Sequence, residues 1–209
     1  MELHEALSQI SEIRQQMART DVFRGYRSAT AGFSAVVAIA AAVAQSVFVP
    51  RPDLDVKGYL VVWLVAALVS VAAAATEMVS RCIRSKSPLQ KEMTVEAAEQ
   101  FLPCLAGGAL LTLVIVLFAH DEVWLLPGLW SMLFSLGVFA SRRVLPKAIT
   151  IVAGYYMIAG LLCIALTGND PWSALSPWIM ATIFGTGQLL SAVVLYWTLE
   201  KEHGRTQAE

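Results

Sequence analysis

Charged residues are scarce in this sequence. Only 15% of its 209 residues are Asp, Glu, Lys or Arg, whereas 57% are hydrophobic and the mean hydropathy is +0.62. Soluble domains carry about 25% charged residues, so we expect lipid rather than water to surround much of this chain. The net charge of -1 leaves no basic excess for phosphate groups, and nucleic acid is therefore not an expected partner.

Motifs of soluble enzymes are absent as well. The three cysteines and three histidines show no metal-ligand spacing, and no glycine-rich loop ends in Lys-Ser or Lys-Thr to hold phosphates. The apolar segments contain no paired histidines, no serine beside a base and no carboxylate pair at mid-depth. We therefore expect no metal, no cofactor and no catalytic residue, and we predict that the protein is not an enzyme.

What the sequence does contain is a set of long, uncharged apolar runs. A bilayer core about 30 Å thick needs roughly 20 helical residues to cross it, and backbone in lipid must satisfy its own hydrogen bonds, as a helix does. In the last of the apolar runs, 172–199, Pro177 marks the expected start of the helix, because proline is tolerated in a first helical turn. Six runs have the required length: 29–49, 58–76, 101–119, 123–141, 148–167 and 172–199.

These runs predict an all-α fold, a polytopic membrane helix bundle with six transmembrane helices. Of the 15 basic residues, all except Arg51 and Lys57 either precede span one or follow spans two, four and six. Cytoplasmic connections carry an excess of Lys and Arg, so both ends of the chain are predicted to be cytoplasmic (N-in/C-in). The expected organisation is a cytoplasmic segment at 1–27, a transmembrane domain at 28–199 and a short cytoplasmic tail at 200–209.

An amphipathic helix is predicted at 2–19, where Leu3, Leu7 and Ile10 recur at helical spacing. Its polar face mixes acidic and basic groups, unlike helices that bind anionic lipid by themselves. Packing against the bundle's own inner loops, contact with a cytoplasmic protein partner and self-association into a homo-oligomer all stay open. The connection at 81–96, the longest cytoplasmic loop expected, offers such a partner a second surface.

A cluster of polar side chains is expected at the inner ends of spans two and three. Ionisable groups are costly in hydrocarbon, but the penalty is smaller near the interface, where Arg142 or Arg143 could pair with them. Structural ion pairing is the first interpretation, and an entry site for a proton or cation is the alternative. The cluster consists of Glu77, Glu96, Glu99 and Gln100.

A second group of polar and small residues falls near the middle of spans three and six. An amide at that depth needs a partner on another helix or a bound ligand. Glycines in both spans, with Pro103 in span three, predict interrupted helices like those at transporter sites. Close packing explains the same glycines without a ligand, and the tyrosines of span five either line a cavity or fill the bundle. The candidate ligand site is Gln188, Gly187, Gly107, Gly108, Tyr155 and Tyr156.

Four short stretches resemble an uncharacterised group of bacterial six-span inner-membrane proteins. The resemblance covers most of the chain. It implies the bacterial inner membrane as the location, and it carries over no activity and no catalytic residue. The stretches are 99–104 (Glu-Gln-Phe-Leu-Pro-Cys), 126–130 (Leu-Pro-Gly-Leu-Trp), 134–137 (Phe-Ser-Leu-Gly) and 196–200 (Tyr-Trp-Thr-Leu-Glu).

Two classes of function fit these features, with the lipid bilayer as surroundings in both. The first is a membrane-embedded subunit or sensor whose N-terminal helix and 81–96 connection contact a cytoplasmic partner. The second is a small transporter or ligand-binding protein with a mid-membrane site between helices three and six. An intramembrane enzyme comes third, because it lacks a catalytic constellation. A polar cavity that reaches Gln188 would favour the second class.

Overall fold

The computed structural model describes residues 28–84, 88–143 and 145–200, and these residues contain helices and no strand. Six helices are long and apolar enough to cross a membrane, as expected for a multi-pass membrane protein. The predicted amphipathic helix at 2–19 lies outside the described residues. The first five helices are α1 (Ser28–Phe48), α2 (Val56–Arg84), α3 (Pro88–Phe118), α4 (Leu126–Ala140) and α5 (Ile149–Thr167).

The sixth helix, α6, is built from four successive pieces. It begins at Pro177, as the sequence predicts, and its membrane span is Pro177–Thr198. A π turn accommodates an extra residue in the helix and is often found at functional sites. The pieces are an α turn at Pro177–Met180, a π turn at Ala181–Gly185, an α-helix at Thr186–Leu195 and a second π turn at Tyr196–Glu200.

Short 3₁₀ turns complete three of the connections between helices. His120–Leu125 leads into α4 and Pro171–Leu175 precedes α6, while Ser141–Arg143 continues the end of α4. In 3₁₀ turns the chain is wound more tightly than in an α-helix, and short pieces of this kind are common as connectors. They keep the ends of neighbouring helices close together.

The connection at 81–96, which we predicted to be a long loop, is mostly helical, so that prediction was wrong. α2 continues to Arg84 and α3 begins at Pro88, and the residues between them, 85–87, lie outside the described part. Strong helix formers follow in the sequence Leu-Gln-Lys-Glu-Met at 89–93, and proline suits a first helical turn. Both helices therefore run on past the end of their apolar stretch.

α4 and α5 form the most closely packed pair of helices. A Cβ atom added at Gly128 would lie 2.8 Å from the carbonyl oxygen of Gly160, and one added at Gly160 would lie 2.7 Å from that of Gly128. Ser131 and Ser135 of α4 donate their hydroxyls to carbonyls on α5, at 2.7 and 2.6 Å. Small residues and hydroxyl groups at the contact are the usual means by which helices associate in lipid.

α2 and α3, in contrast, touch each other at few points. In their most apolar stretches only 22% and 11% of the residues are buried, compared with 39% in both α1 and α6. Apolar side chains gain little by leaving lipid for each other, so apolar surface alone does not bring these two helices together. A gap remains between them on one side of the bundle.

Candidate functional site

A cavity of about 360 Å³ lies inside the bundle, with a wall formed by α1, α2, α3, α4 and α6. Sites for small molecules commonly measure about 300–1,000 Å³, so the cavity is large enough for one. The exposed residues of its wall all belong to α2 and α3, so the open side is the gap between these two helices. They are Leu64, Ala67, Leu68, Val71, Leu105 and Ala109.

Most polar groups in the wall are satisfied by the protein itself. Ser34 Oγ donates to a backbone carbonyl one turn earlier in α1, at 3.1 Å. Thr112 Oγ1 donates to the carbonyl of Gly108 at 2.7 Å and accepts a hydrogen bond from Trp130 Nε1 at 2.8 Å. These groups have no hydrogen left to offer, because each donor already has an acceptor.

Gln188 is the more deeply buried of two exceptions among the described wall residues. Only 9% of its surface is exposed, and its Oε1 atom is buried without a hydrogen-bond partner. Its amide makes no hydrogen bond to any described residue. Leaving a buried polar group unpaired costs about 1–3 kcal/mol, and a primary amide offers two N–H donors as well as the acceptor oxygen. Gln188 is thus a buried polar group at a cavity with its full hydrogen-bonding capacity unused.

Gln45, a second buried glutamine, shows how the same side chain behaves when it serves only structure. It is 0% exposed. Its Nε2 donates to the carbonyl of Leu175 at 2.7 Å, and its Oε1 accepts from Trp63 Nε1 at 2.6 Å. The amide thereby joins α1, α2 and the turn before α6. Gln45 therefore shows that a buried amide can be fully paired in this bundle, which the amide of Gln188 is not.

Ser70 is a second wall residue whose hydroxyl makes no hydrogen bond within the described part of the chain. At a rise of about 1.5 Å per residue, Ser70 lies about 21 Å along α2 from Val56, and Gln188 lies about 17 Å along α6 from Pro177. Both positions are near the middle of a hydrocarbon core about 30 Å thick. The two unpaired polar groups of the wall therefore share a similar depth.

The π turn of α6 is held by the two tyrosines of α5. Tyr155 Oη donates to the carbonyl of Thr182 at 2.9 Å, and Tyr156 Oη donates to that of Phe184 at 3.4 Å. A Cβ atom added at Gly187 would collide with the ring of Tyr156. α6 is thus pressed against this ring one residue before Gln188, which fixes where the glutamine emerges from the helix.

The remaining predicted site residues fall into two groups. Gly108 is part of the wall beside Gln188, whereas Gly107 is outside it, with no atom within 4 Å of the Cβ it lacks. Tyr155 and Tyr156 support α6 and are not part of the wall. α3 runs as one α-helix through Pro103 and both glycines, so the expected break in this helix is absent. Among the described membrane-spanning helices, π turns occur in α6, at Ala181–Gly185 and Tyr196–Glu200.

Within the inner-end polar cluster the structure describes one hydrogen bond between cluster members. Gln100 Nε2 donates to Glu96 Oε1 at 2.9 Å, and Gln100 Oε1 is buried without a hydrogen-bond partner among the described residues. Glu99 is exposed and forms no ion pair with Arg142. Glu77, one helix away, is half-buried. The side chain of Arg143 is outside the described part, so ion pairing with it stays a prediction.

Sequence reasoning missed the paired groups that frame the cavity. Gln45, Trp63, Thr112 and Trp130 were not selected, although each carries a polar group that lies well inside an apolar run. A group of this kind in hydrocarbon must find a partner, and that rule was a usable signal. It would have indicated an interhelical hydrogen bond for each residue, without naming the partner.

Comparison with known proteins adds no further constraint. No family model matches the chain, and neither curated proteins nor solved structures yield a match. The resemblance to bacterial six-span membrane proteins stays a prediction.

Proposed function

We propose that this protein binds a small molecule within the membrane, in the cavity beside Gln188. The observation that carries the proposal is the unpaired, nine-tenths buried amide of Gln188 in the wall of a cavity of about 360 Å³. A ligand with a polar group would supply the missing hydrogen bonds, and its remaining atoms would fill apolar space. Binding would then relieve two costs, an unpaired amide and poor packing.

A subunit or sensor that contacts a cytoplasmic partner is the other function that we proposed from the sequence. One of its expected contact surfaces, the helix at 2–19, lies outside the described residues. The other, the connection at 81–96, consists mostly of the ends of α2 and α3. This function remains compatible with ligand binding, because a ligand in the bundle could change such a contact. The cavity is lined mainly by apolar residues rather than polar ones, and it is the unpaired amide of Gln188 in its wall that favours the ligand-binding class.

The proposed orientation places both chain ends in the cytoplasm of a bacterium, with the protein in the inner membrane. In a variant without native cysteines, an impermeant maleimide applied to intact cells is expected to label Leu54→Cys and Asp170→Cys. It should leave Lys86→Cys and Leu145→Cys unlabelled until the membrane is opened. Labelling of position 86 from outside would reverse the orientation inferred from the positive charges.

The proposed function can be tested by filling the cavity. Gly108 and Gly107 are neighbours on α3, but only Gly108 is in the wall, and a Cβ there meets nothing closer than 3.8 Å. Gly108→Phe should therefore occupy cavity space without breaking the helix, and Gly107→Phe is its matched control. We expect wild type and Gly107→Phe, purified in nanodiscs, to retain a bound small molecule that mass spectrometry of an organic extract detects. Gly108→Phe should retain less than about a tenth as much.

Equal amounts of every extracted molecule in the three proteins would contradict the proposal. Such a result would mean that what is extracted is bulk lipid around the bundle rather than an occupant of the cavity. Thermal unfolding of both variants checks that the loss at Gly108→Phe does not come from a misfolded protein.

A further inference from the structure

We infer that the molecule bound beside Gln188 is an uncharged single-chain amphiphile with a hydroxyl head group, taken up from the lipid phase. This inference rests on the proposed function and specifies the chemistry of its ligand. Three features of the cavity indicate the class: the absence of charge among the described wall residues, the unpaired polar groups of Gln188 and Ser70, and the position of its open side.

None of the described residues in the wall carries a charge. Its polar residues are serine, threonine, tryptophan and glutamine, and the rest are apolar or small. A charged head group in such surroundings would keep none of its hydration and would meet no opposite charge, so its transfer from water would be unfavourable. The wall therefore selects against ammonium, phosphate and carboxylate groups.

The two unpaired groups suit a head group that both donates and accepts hydrogen bonds. The Gln188 amide has donors and an acceptor, and the Ser70 hydroxyl has one donor and acceptor lone pairs. A hydroxyl is the smallest group that both donates and accepts, so it can pair with either of them. An alkane offers neither bond and would leave the Gln188 amide unpaired.

The size and the open side of the cavity suit a single apolar chain. With about 30 Å³ per small group, as for a water molecule in the liquid, a cavity of about 360 Å³ holds a chain of roughly a dozen groups. The exposed rim belongs to α2 and α3 alone and is formed by Leu, Val and Ala. A molecule dissolved in the bilayer can reach Gln188 through this gap without crossing a polar layer.

Cys104 provides a reporter for occupancy, because this half-buried thiol is part of the cavity wall. In a Cys82→Ser/Cys163→Ala variant it is the only cysteine of the chain. We expect dodecanol, added to this variant in phosphatidylcholine nanodiscs, to slow alkylation of Cys104 by N-ethylmaleimide at least about fivefold. Dodecane and dodecyltrimethylammonium at the same content in the bilayer should slow it less than twofold.

Substitutions in the same background separate specific binding from a change in the bilayer. Gln188→Leu should remove most of the protection by dodecanol, whereas Gly107→Phe should leave it intact. Protection by dodecane equal to that by dodecanol would overturn the role of the hydroxyl group, and equal protection by the ammonium compound would overturn the exclusion of charge. The extraction experiment separates a wrong ligand class from a wrong function. If a molecule is extracted from wild type and not from Gly108→Phe, but no compound protects Cys104, then the ligand class is wrong and the proposed function stands. If both experiments fail, the proposed function is wrong as well.

Discussion

Gly160→Leu is expected to destabilise the bundle by about 3 kcal/mol or more, since overpacking of a close contact typically costs about 1–3 kcal/mol and here the obstacle is backbone. A Cβ atom at Gly160 would lie 2.7 Å from the carbonyl oxygen of Gly128 and 3.2 Å from the backbone nitrogen of Met132. These atoms belong to α4 and cannot rotate away as a side chain would. α4 and α5 would have to separate, and the hydroxyl bonds of Ser131 and Ser135 would be lost.

Gly154→Leu on the same helix is the matched control, because no atom lies within 4 Å of the Cβ position there. Thermal unfolding in detergent should show Gly154→Leu within about 2 °C of wild type and Gly160→Leu at least about 8 °C lower, given roughly 2–4 °C per kcal/mol for a chain of this size. Similar Tm values for both variants would mean that α4 and α5 are not in backbone contact.

The six spans could be predicted from the sequence because length and apolarity alone determine whether a helix can cross a bilayer. The start of α6 at Pro177 followed from local chemistry in the same way. The ends of α2 and α3 were less accessible, because hydropathy ends with the membrane while helix propensity does not. At 88–96 the residues favour helix although they lie outside the apolar run of span three, so the helix extends beyond the span that hydropathy predicts.

The candidate site was only partly predictable, and the two glutamines show why. Gln45 and Gln188 are both amides inside apolar runs, and the neighbouring sequence does not show whether either amide finds a partner. One of the two partners of Gln45 is the carbonyl of Leu175, 130 residues away along the chain. Whether a buried amide is paired depends on such distant contacts, so the sequence could propose Gln188 as a site residue but could not show that Gln45 is satisfied.

Gly107 and Gly108 illustrate the same limit at the level of a single helix turn. Adjacent residues on a helix point about 100° apart, since about 3.6 residues complete a turn. Only the rotation of α3 in the bundle decides that Gly108 meets the cavity and Gly107 does not. The π turn of α6 has a similar origin, because its carbonyls are held by tyrosine hydroxyls of α5 rather than by a local sequence signal.

Gln188→Leu is expected to abolish stabilisation by a cavity ligand while the bundle stays folded. Leucine is similar in length and suits both lipid and a packed core, and no hydrogen bond to a described residue is lost with the amide. A ligand at about 100 times its Kd stabilises the state that binds it by about 2.7 kcal/mol, which corresponds to roughly 5–10 °C for a chain of this size. The substitution removes the polar anchor on which that affinity depends.

The measurement that tests the central claim most directly is the thermal shift produced by dodecanol in nanodiscs, for wild type and Gln188→Leu side by side. We expect a rise in Tm of at least about 5 °C for wild type, less than about 1 °C for Gln188→Leu, and ligand-free Tm values within about 2 °C of each other. An equal rise in both proteins would show that Gln188 does not anchor the ligand and would contradict a binding site in this cavity.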